Sequence, residues 1–147
     1  MQSIKGKGGQ IAISWPAFPK AVKRILGHDV KKLIETAHKE LECLLEYQNS
    51  LIKFADGALS GSDLRLVKNA GANAILIWRE RGNSRTRYAE IEASVINRLI
   101  SIDMRKTFAK IERERLITNF MIRSHSFVLE QGTNYISGLR RQTQIIK

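Results

Sequence analysis

Apolar residues recur at alternating steps of three and four along residues 30–55 of the chain. The eight positions of this series share one stripe of an α-helix, and Gln48 is the only polar member: Val30, Ile34, Ala37, Leu41, Leu44, Gln48, Leu51 and Ala55. Leu33, Leu45 and Ile52 widen the stripe. Asp29 suits an N-cap, and Gly57 lies just beyond the expected end. The pattern predicts a helix over Val30–Ala55 that packs lengthwise on another.

The period changes over residues 74–91, where "AILIWRE" is rich in β-branched and aromatic residues. Gly82-Asn83 suits a two-residue type II′ turn, so residues 74–80 and 85–91 are predicted to form a hairpin. This turn would place Glu80 opposite Arg85, Arg79 opposite Thr86, Trp78 opposite Arg87 and Ile77 opposite Tyr88. Upstream, "DLRLV" alternates as a short third strand would.

Helical spacing returns from about Ala93, with a predicted break near Ser101 to Asp103 and a long helix from Met104 toward Arg141. The middle of that helix is apolar around more than half its circumference, as in a central or dimer-forming helix: Phe108, Ile111, Leu116, Ile117, Phe120, Met121, Phe127 and Val128.

The expected fold class is α+β, mostly helical, with long amphipathic helices packed around a two- or three-stranded antiparallel β-hairpin. The 147 residues are the length of a single domain, 1–147. Residues 1–19 are predicted to form an irregular basic arm containing Gly and Pro, with Trp15 and Phe18 docked on the core. A short helix is expected from Lys20 to Leu26.

The charge balance points to a polyanionic partner. Lys and Arg number 25 against 14 acidic residues, giving a net charge of +11, and most of the excess lies in residues 57–147. No apolar run approaches the roughly 18 residues of a membrane span, and the first residues lack the core of a secretory signal. With a single cysteine, the chain is expected to be a soluble protein of a reducing cytoplasm, without a membrane partner.

The residue types that commonly act in catalysis do not occur at spacings that would place them side by side. His28, His38 and His125 lack the spacing that places two imidazoles on one helix face, and Glu112 and Glu114 point in different directions on a helix. Cys43 is interpreted as a small buried hydrophobe. We therefore expect no enzyme activity, no cofactor and no metal.

Arginines dominate the predicted hairpin tip. The candidate nucleic-acid-binding residues are Arg79, Arg81, Arg85, Arg87, Tyr88, Lys5 and Lys7. Trp78 and Tyr88 could stack on single-stranded bases. In the alternative interpretation both rings are core residues, Arg87 covers the indole, and Glu80 neutralises Arg81 or Arg85.

From these residues we hypothesise that the chain is a non-enzymatic nucleic-acid-binding protein. DNA is the preferred partner, and the sequence does not distinguish between single-stranded and double-stranded DNA. RNA is an alternative partner of the same basic surface. A protein-interaction adaptor or dimerising scaffold is the alternative function, and a homodimer through the long C-terminal helix is a further expectation.

"KGKG", "ILIWRERGNSRTRY" and the terminal "LRR" together resemble small uncharacterised proteins encoded on integrating conjugative elements and plasmids of Proteobacteria. The resemblance covers residues 74–141, and its Trp-Arg-x-Arg string corresponds to Trp78, Arg79 and Arg81, followed by Arg85. It implies an accessory protein of a mobile genetic element in the bacterial cytoplasm, without an established activity, and such elements depend on conjugation and on element maintenance. Both processes are DNA transactions, which favours DNA as the partner.

Overall fold

A computed structural model describes residues 2–4, 13–15, 30–69, 74–83 and 86–146 of the chain, the first two ranges as backbone only. The described elements run in the order β1 (Gln2–Ile4), β2 (Ile13–Trp15), α1 (Val30–Ala58), β3 (Leu64–Lys68), β4 (Leu76–Glu80), β5 (Arg87–Tyr88), α2 (Ala93–Leu99), a 3₁₀ turn (Ile102–Met104) and α3 (Arg105–Ile146). The fold is α+β and mostly helical, as predicted. Within the described residues, no helix combines the length and apolar character that crossing a bilayer requires.

Helix α1 confirms the predicted stripe, because all eight of its positions are buried or half-buried. Leu33 was assigned to the same face but is 46% exposed, so the buried stripe is narrower there. The helix ends at Ala58, past Gly57. The reason is Leu59, which is 1% exposed and four residues after Ala55. Its N–H donates to the Ala55 carbonyl over 2.9 Å, so packing of the next stripe position outweighs the glycine.

Strands β3, β4 and β5 form one antiparallel sheet in that order, which confirms the third strand. The predicted hairpin register is wrong by one residue, since Trp78 lies opposite Tyr88 and Arg79 opposite Arg87. The turn explains the shift. The Asn83 N–H donates to Glu80 O over 3.3 Å, which makes Gly82, with φ of 77°, the third residue of a four-residue turn. The connection is therefore longer than the two residues expected.

The inner face of this sheet packs on α1 and α3. The core unites side chains of α1, β3, β4, α2 and α3 with two residues just after α1 and α2: Leu51, Ala55, Leu59, Leu64, Leu66, Leu76, Trp78, Leu99, Ile100, Phe108 and Ile111. Trp78 is 0% exposed, its ring lies 4.9 Å from that of Phe108, and its Nε1–H donates to Glu112 over 2.6 Å. The interpretation of Trp78 as a core residue is confirmed.

Two polar residues of α3 hold the beginning of β4. Asn119 bonds both backbone groups of Leu76: its Oδ1 accepts from the N–H over 2.7 Å, and its Nδ2 donates to the carbonyl over 2.8 Å. Arg115, which is 1% exposed, donates from Nη1 to the same carbonyl over 3.0 Å. Strand β5 spans only Arg87–Tyr88, so it does not reach this part of β4. The Asn119 amide therefore occupies the place of a neighbouring strand.

Helices α1 and α3 run antiparallel beside each other. Tyr47 of α1 donates to Glu114 over 2.8 Å, and farther along the pair Glu40 bonds the ring of His125. Glu112 points the other way, toward Trp78, which confirms that the two glutamates diverge. The break before α3 is also confirmed, since the 3₁₀ turn Ile102–Met104 separates α2 from α3.

The prediction of an irregular arm is wrong for Gln2–Ile4 and Ile13–Trp15, which pair antiparallel with Gln2 opposite Trp15. Ile4, Ile13 and Trp15 are residue types that favour strands, and the prolines follow Trp15 and do not interrupt it. Asp29, Phe18 and the predicted helix over residues 20–26 lie outside the described residues.

Two glycines of α3 give a matched test of the α1–α3 packing. A Cβ at Gly132 would lie 2.7 Å from Cγ1 of Ile34, whereas a Cβ at Gly138 would meet nothing within 4 Å. Gly138→Ala should raise the free energy of unfolding by up to about 1 kcal/mol through helix propensity. Gly132→Ala should lower it by about 1–3 kcal/mol, because Ile34 is stiff and must move. Urea unfolding of both variants tests this, and equal gains in stability would contradict the close packing.

Candidate nucleic-acid interface

Three arginines line up across the sheet. Arg65 of β3 lies directly opposite Arg79 of β4, and Arg79 lies directly opposite Arg87 of β5. Residues in register on adjacent strands point to the same side, so all three belong to the outer face, away from Leu64, Leu66, Leu76 and Trp78. With strands about 4.8 Å apart, this arginine row (Arg65, Arg79 and Arg87) spans roughly 10 Å.

The one-residue change of register creates this row. The predicted pairing placed Arg87 opposite Trp78 and Tyr88 opposite Ile77, whereas in the observed pairing Tyr88 lies opposite Trp78 and Arg87 lies opposite Arg79. Arg87 therefore does not cover the Trp78 indole. Tyr88 is half-buried against the core, and its hydroxyl donates to Glu80 over 3.3 Å. Of the predicted binding residues, Tyr88 is thus on the opposite side of the sheet from the arginines.

The acidic residue of the hairpin also lies on the inner side. Glu80 accepts from Nη1 of Arg98, on α2, over 3.3 Å, in addition to its bond with Tyr88. In the alternative interpretation Glu80 neutralised Arg81 or Arg85. Arg85 lies outside the described residues, and the ion pair found for Glu80 is with Arg98 and not with Arg81. Within the part of the chain that the structure describes, neither Arg65 nor Arg87 takes part in an ion pair.

Like charges placed directly opposite each other on neighbouring strands destabilise a sheet. The arginine row makes this arrangement twice in succession, and Arg65 and Arg87 are both exposed. The next row of the outer face is apolar, with Val67 half-buried and Ile77 4% exposed. An anion on this face could accept hydrogen bonds from more than one guanidinium group of the row.

The turn adds a fourth arginine next to the row. Arg81 is exposed, and its backbone N–H donates to the Asp63 carbonyl over 2.7 Å, which ties the turn to the start of β3. A surface depression at this end of the sheet is lined by Arg65, Arg79, Glu80, Arg81, Gly82 and Asn83. The depression joins the turn to two members of the arginine row.

The structure brings together Arg79, Arg81 and Arg87 of the seven predicted binding residues. Arg85, Lys5 and Lys7 lie outside the described residues. Arg65 was missed by the sequence reasoning, although the alternation of "DLRLV" carries the signal. Leu64 and Leu66 are buried, so Arg65 between them must point to the other face.

Among the described residues, no three His, Cys, Asp or Glu side chains are placed to hold a metal ion. The pKa of His125 is raised because its ring hydrogen-bonds Glu40 and the Met121 carbonyl. The pKa of the Tyr47 hydroxyl is raised by burial and by its bond to Glu114. Cys43 was predicted to be buried but is exposed, because it lies beside the stripe that packs on α3.

Comparison of the chain with protein-family models, curated proteins and solved structures finds no match.

Proposed function

We propose that this chain binds nucleic acid, with DNA as the principal partner, and that the arginine row holds its phosphates. The observation that supports this most directly is the register of Arg65, Arg79 and Arg87 across three strands. The guanidinium group is planar and donates two parallel hydrogen bonds to phosphate, which makes arginine the better residue for such a contact. Arg81 and the net charge of +11 add long-range attraction.

The dimensions of the row suit a phosphate backbone. Successive phosphates of one DNA strand advance by about 3.4 Å along the helix axis, so a row of roughly 10 Å would cover about three of them. A sheet edge or ribbon can also approach the major groove, which is about 12 Å wide. The turn residues beside Gly82 would then be the part of the protein nearest the groove.

Base stacking has no role in this mode of binding. Trp78 is buried, and Tyr88 lies on the inner side of the sheet. The described residues that line the depression beside the arginine row include no aromatic side chain. Recognition would therefore depend on charge and shape, would be insensitive to sequence, and would fall steeply with salt. We propose that duplex DNA is bound at least as well as single strands, and RNA through the same phosphate contacts.

The biological role that we propose is that of a non-enzymatic accessory protein of a mobile genetic element, located in the bacterial cytoplasm. This role comes from the resemblance of the Trp78 to Arg85 string and from the proposed DNA contact. Lys5 and Lys7 would add further phosphate contacts.

Replacing Arg65, Arg79 and Arg87 together by glutamine tests the proposal. Affinity for a short duplex should fall by roughly tenfold or more at low salt, and the slope of log K against log salt should decrease by about 2–3, because up to three phosphate contacts are lost. Fluorescence anisotropy with duplex DNA, single-stranded DNA and RNA at about 50 and 200 mM salt measures both quantities.

A matched control separates local contacts from net charge. Lys32, Lys39 and Lys53 are exposed on α1, and replacing all three by glutamine removes the same charge. The control should lose little affinity. Equal losses in the two triple variants would contradict the arginine row as the binding site, and absence of binding by the unchanged protein to all three nucleic acids would overturn the proposed function.

A further inference from the structure

Eight large apolar side chains of α3 between residues 116 and 139 are exposed, on the side of the helix that contacts neither the sheet nor α1. Their exposed fractions range from 36% to 68%, and they are Leu116, Ile117, Phe120, Met121, Phe127, Val128, Tyr135 and Leu139. We refer to these eight residues as the apolar face. A surface of this kind marks an interaction site when its members are contiguous.

A second copy of the same helix could cover the apolar face. Phe127 and Val128 lie at its middle, because Leu116 is 11 residues before Phe127 and Leu139 is 11 residues after Val128. Two identical helices that cross antiparallel at that point would therefore overlap along the whole face, with Phe120 of one copy at the level of Tyr135 of the other.

Charge along the same segment agrees with this arrangement. Between Leu116 and Leu139 the only Asp, Glu, Lys or Arg residues are Arg123 and Glu130, although charged residues make up 27% of the chain. Depletion of charge is typical of the centre of protein interfaces. Arg123 and Glu130 are exposed seven residues apart and therefore lie along the same edge of the helix. In an antiparallel pair that edge faces itself, so each Arg123 would lie near the Glu130 of the other copy.

The available area is sufficient for a specific dimer. The eight partly exposed side chains present on the order of 600 Å² of apolar surface, or about 1,200 Å² for two copies, which reaches the lower limit of stable interfaces. Since the chain carries a net charge of +11, two copies can approach closely only where charge is scarce. The segment from Leu116 to Leu139 meets that requirement.

We infer that the apolar face binds a second copy of this chain, so that two α3 helices cross antiparallel near Phe127 and Val128. This inference is independent of the proposed DNA contact, because the arginine row lies on the sheet. The dimer would carry two arginine rows, one on each copy.

The first experiment measures the mass of the full chain, freed of nucleic acid, by sedimentation equilibrium. The unchanged protein should form a dimer, and Phe127→Glu should raise its dissociation constant by roughly 100-fold or more, because two like charges would lie side by side in an apolar contact. Phe54→Glu is the matched control, since Phe54 of α1 is 59% exposed but lies outside the apolar face. A monomeric unchanged protein, or equal effects of the two variants, would overturn the inference.

Disulfide cross-linking then tests the direction of the helices, in a Cys43→Ser background because Cys43 is exposed. In the antiparallel pair the two copies of position 120 would be about 22 Å apart, whereas position 120 would face position 135 of the other copy. Phe120→Cys alone should therefore give no cross-linked dimer, and Phe120→Cys combined with Tyr135→Cys should give one. Efficient cross-linking by Phe120→Cys alone would indicate a parallel pair and overturn the inference.

Discussion

Replacing Arg115 by alanine should lower the free energy of unfolding by about 3–5 kcal/mol, because it removes one partner of a buried ion pair. Arg115 is 1% exposed and donates to both oxygens of Glu112, from Nε to Oε2 and from Nη2 to Oε1, each over 2.7 Å. Without the guanidinium group, Glu112 would keep only the Trp78 N–H, and the Leu76 carbonyl would lose a donor. Urea unfolding monitored by far-UV circular dichroism measures the change.

Two further variants show why Arg115→Ala lowers the free energy of unfolding. Arg113→Ala removes an exposed arginine from the same helix and should change stability by no more than about 0.5 kcal/mol. Combining Arg115→Ala with Glu112→Ala should cost less than the sum of the single changes by at least about 1 kcal/mol, because the unpaired carboxylate is removed as well. Strict additivity would show that Arg115 acts through packing alone.

Replacing Asn119 by leucine should lower the free energy of unfolding by about 2–3 kcal/mol, since the buried N–H of Leu76 would lose its acceptor. The Leu76 carbonyl would keep the bond from Arg115, which limits the loss. Asn97→Leu changes an exposed asparagine of α2 in the same way and should be nearly neutral.

Amide hydrogen exchange directly measures whether the Leu76 N–H loses its hydrogen bond in the Asn119→Leu protein. The Leu76 N–H should exchange much faster in the Asn119→Leu protein, whereas the Arg79 N–H, within the ladder between β4 and its neighbours, should keep most of its protection. Unchanged exchange at Leu76, despite a loss of stability, would argue against the Asn119 amide as its partner.

The spacing of apolar residues was sufficient to predict the elements whose buried positions recur at regular intervals along the chain. The stripe of α1, the core position of Trp78 and the break before α3 all follow from spacing or residue type. These features depend on neighbours within a few residues, so the local pattern contains the information.

The register of the hairpin could not be predicted, because Gly82-Asn83 fits more than one turn. The bond from Asn83 to Glu80 selected the longer connection, and this moved Arg87 from one face of the sheet to the other. Arg115 and Asn119 also escaped prediction. Their partners in β4 are 39 and 43 residues away in sequence, so nothing near them marks them as buried.

The two edges of the sheet are protected in different ways against joining another extended chain. On one side, the short β5 would leave Leu76 open to an added strand, but the Asn119 amide already uses both of its backbone groups. On the other side, β3 carries exposed Arg65 and Lys68, and charges of this kind discourage edge-to-edge aggregation. Asn119 of α3 thus allows β5 to be only two residues long without leaving this edge of β4 free to pair with strands of other chains.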